Sequence, residues 1–111
     1  MNMKTKITLL AVLLAAGLGR LHAGDANALW DKNCAACHGK DGKGETKMGK
    51  KLGMKDFTDA KVQAELKDED AAKAIKDGVK DGDKTRMKGF ADSLSEEEVK
   101  ALVQKVRSFK Q

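Results

Sequence analysis

Apolar residues fall into one long run near the start of the chain and three shorter stripes of helical spacing after it. The run is Ile7–Gly19, with Lys4 and Lys6 before it and Leu21, His22 and Ala23 just after. A positive start, an apolar stretch of this length and a small residue for cleavage predict a signal segment over 1–23. Crossing a bilayer takes ~20 apolar residues, so an uncleaved anchor is the weaker reading. Residues 24–111 are left as one domain.

Within that domain, Ala26, Leu29, Trp30, Cys34 and Cys37 recur at helical spacing and predict a first helix over 25–37. Gly39, Gly42 and Gly44 stop it and open a lysine-rich loop over 39–56, with Lys40, Lys43, Lys47, Lys50, Lys51 and Lys55. Thr58 is a cap-type residue in front of a short helical piece over 59–66. A longer helix covers 68–77, with Ala71, Ala74, Ile75 and Val79 as its buried face and Gly78 closing it. Val79–Phe90 is polar, has no period and reads as loop. The last helix is the clearest. Ser95 and Glu98 have capping-box spacing, and Val99, Leu102, Val103, Val106 and Phe109 form one stripe. Lys105, Arg107 and Lys110 gather toward its end, where the helix dipole favours cations. The expected class is all-α, three to four helices with no convincing strand.

Charge and composition narrow the function. The formal net charge is +5, but Lys4, Lys6 and Arg20 belong to the signal segment and the remainder is nearly balanced. A nucleic-acid binder carries a one-sided basic excess, so nucleic acid is excluded as a partner. The core is poorly supplied, with three Phe, one Trp and no Tyr. A domain this small lies near the size at which staples become usual, so something besides side chains is expected to fill its middle. Export also places both cysteines in an oxidising compartment, where a disulfide competes with other uses.

Those cysteines stand in Cys34-Ala-Ala-Cys37-His38. C-x-x-C-H is the pattern for covalent attachment of a c-type haem. Residues three apart share a helix face, so Cys34 and Cys37 can each bond one vinyl group while His38 reaches the iron. The competing uses are weaker. A structural zinc site takes four Cys or His ligands, and the mature chain has three. A redox dithiol belongs in a βαβ setting. A Cys34–Cys37 disulfide closes too small a loop to stabilise much. For the sixth position on iron, a methionine opposite histidine is the pairing of cytochromes c. Met48 and Met54 follow His38 closely, whereas Met87 lies far along the chain in a polar segment that can reach the opposite haem face. Met87 is the expected ligand.

The residues resemble the small monohaem class I c-type cytochromes of bacteria. Ala28–Gly39 resembles that family's first helix, Ala71–Gly78 its third, and Met87–Phe109 its ligand loop and last helix. The resemblance implies a cytochrome c fold, with three to four helices around one covalent haem and the N- and C-terminal helices packed together. It also implies a backbone carbonyl near Met48–Lys51 for the second nitrogen of His38. The chain departs from the family in having no proline, either after Met87 or after the haem motif.

With both axial positions filled by protein, the expected function is an exported, monomeric electron carrier rather than an enzyme, containing one haem c and its iron. Periplasm is the expected location and the thylakoid lumen the alternative. No membrane span remains after signal cleavage. Redox partner proteins would dock on the lysine-rich loop 39–56. The rival function is a haem enzyme or gas-binding protein with an open sixth position, such as a weak peroxidase.

Overall fold

The computed structural model describes residues 23–111; the expected signal segment lies outside them except for Ala23. The chain forms α1 (Ala23–Asn33), α2 (Ala35–His38), α3 (Lys47–Leu52), α4 (Ala60–Glu65), α5 (Asp68–Asp77), β1 (Val79–Asp81), β2 (Lys84–Met87) and α6 (Glu96–Ser108). The longer helices α5 and α6 are two of the stripes of the sequence; the first stripe, expected as one helix over 25–37, is divided at Cys34 between α1 and α2, and the remaining helical segments are one or two turns.

α6 forms as its residues dictate. Ser95 Oγ accepts from the Glu98 amide at 3.1 Å, and Glu98 Oε1 accepts from the Ser95 amide at 2.9 Å, which completes the capping box. Its buried stripe of Val99, Leu102, Val103 and Val106 meets Trp30 and Cys34 on one side and Ala71 and Ile75 of α5 on the other. The first and last helices therefore pack together, with α5 laid against α6. Leu102, at 0% exposure, sits at the centre.

Three further details differ from expectation. The lysine-rich stretch 39–56 is not all loop, because α3 lies within it. Thr46 Oγ1 caps that helix by accepting from the Gly49 amide at 2.8 Å, and Gly53 closes it. Asp59, not Thr58, caps α4, accepting from the Lys61 amide at 2.8 Å. The third difference matters most. Val79–Phe90 contains an antiparallel hairpin, with Asp81 opposite Lys84 across a two-residue loop. Gly82 leads that loop at φ 59°, and a positive φ at the first of two loop residues suits the twist of a tight hairpin. Strands of three and four residues, apolar only at Val79 and Met87, show no alternation, so they leave no period to read. Val79 belongs to β1 and is 39% exposed; it is not part of the buried face of α5.

Candidate haem site

α1 runs almost directly into the turn that carries the cysteines. The Cys34 amide donates to Trp30 O at 2.8 Å and the His38 amide to Cys34 O at 2.9 Å. The last carbonyls of a helix have no partner within it, and here the neighbouring chain supplies them. Thr46 Oγ1 donates to Cys37 O at 2.6 Å, the Gly44 amide to His38 O at 2.8 Å, and Trp30 Nε1 to Gly39 O at 2.8 Å. Gly49 lies so close that a Cβ there would run into Cys37 O and Gly44 O. The turn bearing His38 is pinned from both flanks.

A mostly apolar cavity opens beside it, about 500 Å³ including its open mouth. Cys34, His38, Trp30 and Phe57 line it together with Leu66, the α5 residues Asp70, Ala71, Ala74 and Ile75, and the α6 residues Leu102 and Val106. The structure thus brings Cys34 and His38 to one cavity. Cys37 is half-buried on the same turn and is not among the lining residues, nor is Met87.

The His38 ring stacks on Phe57, with centroids 5.3 Å apart and planes 26° apart, and lies 5.5 Å from the Trp30 ring. Burial lowers its pKa below the ordinary histidine value, so the imidazole is neutral at pH 7, the form that ligates metal. Nδ1 is buried without a hydrogen-bond partner. The backbone carbonyl implied near Met48–Lys51 does not reach it. Both cysteines are free thiols. Burial, and secondarily the neighbouring Cys37, push the Cys34 thiol up to about 11. That direction is opposite to the depressed pKa of a reactive redox thiol.

Met87 ends β2, is half-buried and packs against the core cluster. Of the other two candidates, Met48 is 46% exposed and Met54 is half-buried beside Gly44. Arg86, next to Met87 on β2, is half-buried and donates through Nη2 to Leu52 O.

Two residues of the site are not apparent from sequence. Phe57 forms the stack on His38, yet it lies between Asp56 and Thr58 with no apolar period around it. Gln63 is 5% exposed, and its Nε2 donates to Phe57 O at 2.7 Å and to Val106 O at 2.8 Å. Arg107 donates to Gln63 O at 2.7 Å and pairs with Asp68 at 2.7 Å. A buried glutamine in a short polar helix has no sequence signal.

Residues 22–104 match the family model described as cytochrome c oxidase, cbb3-type, subunit III. Among solved structures, the chain is similar to the KustC0563 c-type cytochrome, with 40% identity over 78% of this chain and 98% of that one and a TM-score of 0.70. It is also similar to a tyrosine-to-phenylalanine mutant of Kustc0563, with 41% identity over 78% and 99% of the two chains and a TM-score of 0.68. No curated protein matches. The chain belongs to the c-type cytochrome family. Its fold is the all-α cytochrome c fold, joined here by one small hairpin.

Members of this family carry covalently bound haem. The residues present fit such a group: two thiols three apart on one turn, a neutral imidazole beside them, and a mostly apolar cavity that Cys34 and His38 both line. Among the described residues, no cluster of three His, Cys, Asp or Glu side chains could hold a bare metal ion.

Proposed function

We propose that residues 24–111 form a monohaem electron carrier exported by the signal segment 1–23. Cys34 and Cys37 are the attachment points, and His38 and Met87 the two axial iron ligands. When bound, the haem supplies a one-electron Fe(III)/Fe(II) couple. Cys34 and His38 lining one apolar cavity is the observation that carries this reading.

The chain's own residues have defined tasks. Trp30, Phe57, Leu102 and Val106 keep water from the cavity walls. Thr46, Gly44 and Trp30 hold the turn on which the imidazole stands, so it does not reorient when the charge at the site changes. A thioether from Met87 opposite the imidazole favours a raised reduction potential. With both axial positions taken by protein, no position remains for a substrate, and the chain is not an enzyme.

Carriers of this family exchange electrons with redox partner proteins. Exposed Lys40, Lys47, Lys50, Lys51 and Lys55 make the segment after His38 a basic rim that steers acidic partners. No helix among the described residues is long and apolar enough to cross a membrane. The proposed location is the periplasm, with the thylakoid lumen as the alternative, and the proposed state is a monomer.

The test is the absorption spectrum of protein expressed with haem-attachment machinery. Low-spin iron with a far-red ferric band that vanishes in Met87→Ala is expected. High-spin ferric iron that binds carbon monoxide readily would replace the carrier with a gas-binding or peroxidatic protein.

A further inference from the structure

The chain lacks proline, so the segment around Met87 has to be held by other means. We propose that Arg86 is the positioning residue that fixes Met87, acting as a latch between the hairpin and α3; this rests on the reading of Met87 as an iron ligand.

The strand register is the first observation. Lys80 pairs with Thr85 and Val79 pairs with Met87, which leaves Arg86 as an extra residue on β2. Such a bulge bends its strand and re-aims the side chains beside it. The re-aimed side chain is the second observation. Arg86 is half-buried, and its guanidinium donates to the carbonyl of Leu52, a residue 34 positions earlier. Leu52 is the last residue of α3. A carbonyl at a helix C-terminus has no intrahelical partner and stands at the negative end of the dipole, so a guanidinium suits it doubly.

The base of the hairpin is the third observation. The Phe90 amide donates to Ile75 O at 2.8 Å and the Ala91 amide to Lys76 O at 3.1 Å. Gly78 approaches so closely that a Cβ there would lie 2.5 Å from Met87 O and 2.7 Å from the Gly89 amide nitrogen. α5 therefore grips the hairpin at its base, and Arg86 ties the strand to the segment that follows His38. Loss of the latch leaves the base in place and lets the strand pivot on it. The expected defect is a Met87 that yields more easily to a competing ligand.

The experiment titrates ferric holoprotein with imidazole, following loss of the far-red band in wild type, Arg86→Leu, Arg86→Gln and Arg86→Lys. A charge-assisted hydrogen bond corresponds to about a tenfold change in an equilibrium. Arg86→Leu and Arg86→Gln should each bind imidazole about tenfold more tightly than wild type. Arg86→Lys, which keeps a charged donor, should recover most of the difference. Should Arg86→Leu fail to yield holoprotein, Arg86→Gln decides alone. Wild-type imidazole affinity in Arg86→Gln overturns the latch while leaving Met87 as ligand. A far-red band that survives in Met87→Ala overturns the ligand reading, and the latch with it.

Discussion

The turn that carries His38 and the hairpin that carries Met87 are held by different kinds of contact. Around His38 the ties come from separate parts of the chain: the Trp30 indole, the Thr46 hydroxyl, the Gly44 amide and the Phe57 ring. Gln63 anchors Phe57 in turn and reaches across to Val106. Around Met87 most bonds are local, between β1 and β2, and every residue of β1 is exposed. Burial separates the two regions as well, with Trp30 at 2% and Cys34 at 7%. Regions rich in buried contacts open only with global unfolding, whereas exposed local pairs open on their own. One side of the site is thus part of the core, and the other is an attachment to it.

That contrast predicts a graded set of effects. The largest belongs to Trp30→Ala, which empties a buried ring volume and leaves Gly39 O with the Gly42 amide as its remaining donor. A loss of about 3–5 kcal/mol in chemical unfolding of the holoprotein is expected. A loss below ~1 kcal/mol would remove the His38 side from the core. Next comes Gln63→Ala, which strands Phe57 O, leaves Val106 O with only the Phe109 amide, and should cost about 1–3 kcal/mol. Its unfolding midpoint should fall together with the wild-type ordering of the His38 ring signals. Gly82→Ala forces a Cβ into a positive φ and should cost about 1 kcal/mol. Its distinguishing readout is amide exchange: faster at Val79 and Met87, unchanged at His38 and Gly44. Equal acceleration on both sides would erase the contrast.

The smallest effect is acid-dependent. The Thr58 hydroxyl and amide both bond the Asp56 carboxylate and hold its pKa below the ordinary aspartate value. A depressed carboxylate adds stability above its unfolded value of about 3.9 and loses it as pH falls through the lower folded value. The unfolding midpoints of wild type and Asp56→Asn should therefore differ at neutral pH and converge in acid. A difference that holds constant with pH contradicts this.

What could be read from sequence follows the same division. The three longer helices were legible because each carries an apolar stripe, and α6 down to its capping pair Ser95 and Glu98, because period and caps are local properties. Cys34, Cys37 and His38 stand out as a group through their C-x-x-C-H spacing, and the structure brings Cys34 and His38 to one cavity with Cys37 on the same turn. The hairpin was not legible, since its strands are short, mostly polar and without alternation. α3 was hidden by its lysines, and its Thr46 cap has no acidic partner three residues on to mark it. Phe57, Gln63 and the Arg86–Leu52 tie are products of tertiary approach, and no spacing in the chain encodes them. Choosing Met87 over Met48 and Met54 came from its distance along the chain. Met87 packs against the core and Met48 is nearly half exposed, but none of the three methionines lines the cavity beside His38.

The central claim is that this polypeptide folds around a porphyrin bonded to Cys34 and Cys37. Intact mass of the acid-denatured protein, produced with haem-attachment machinery, tests it most directly. The account predicts polypeptide plus a single haem that survives denaturation and is lost in the Cys34→Ala, Cys37→Ala double variant. A polypeptide of unmodified mass, or one carrying haem that dissociates on denaturation, would contradict it.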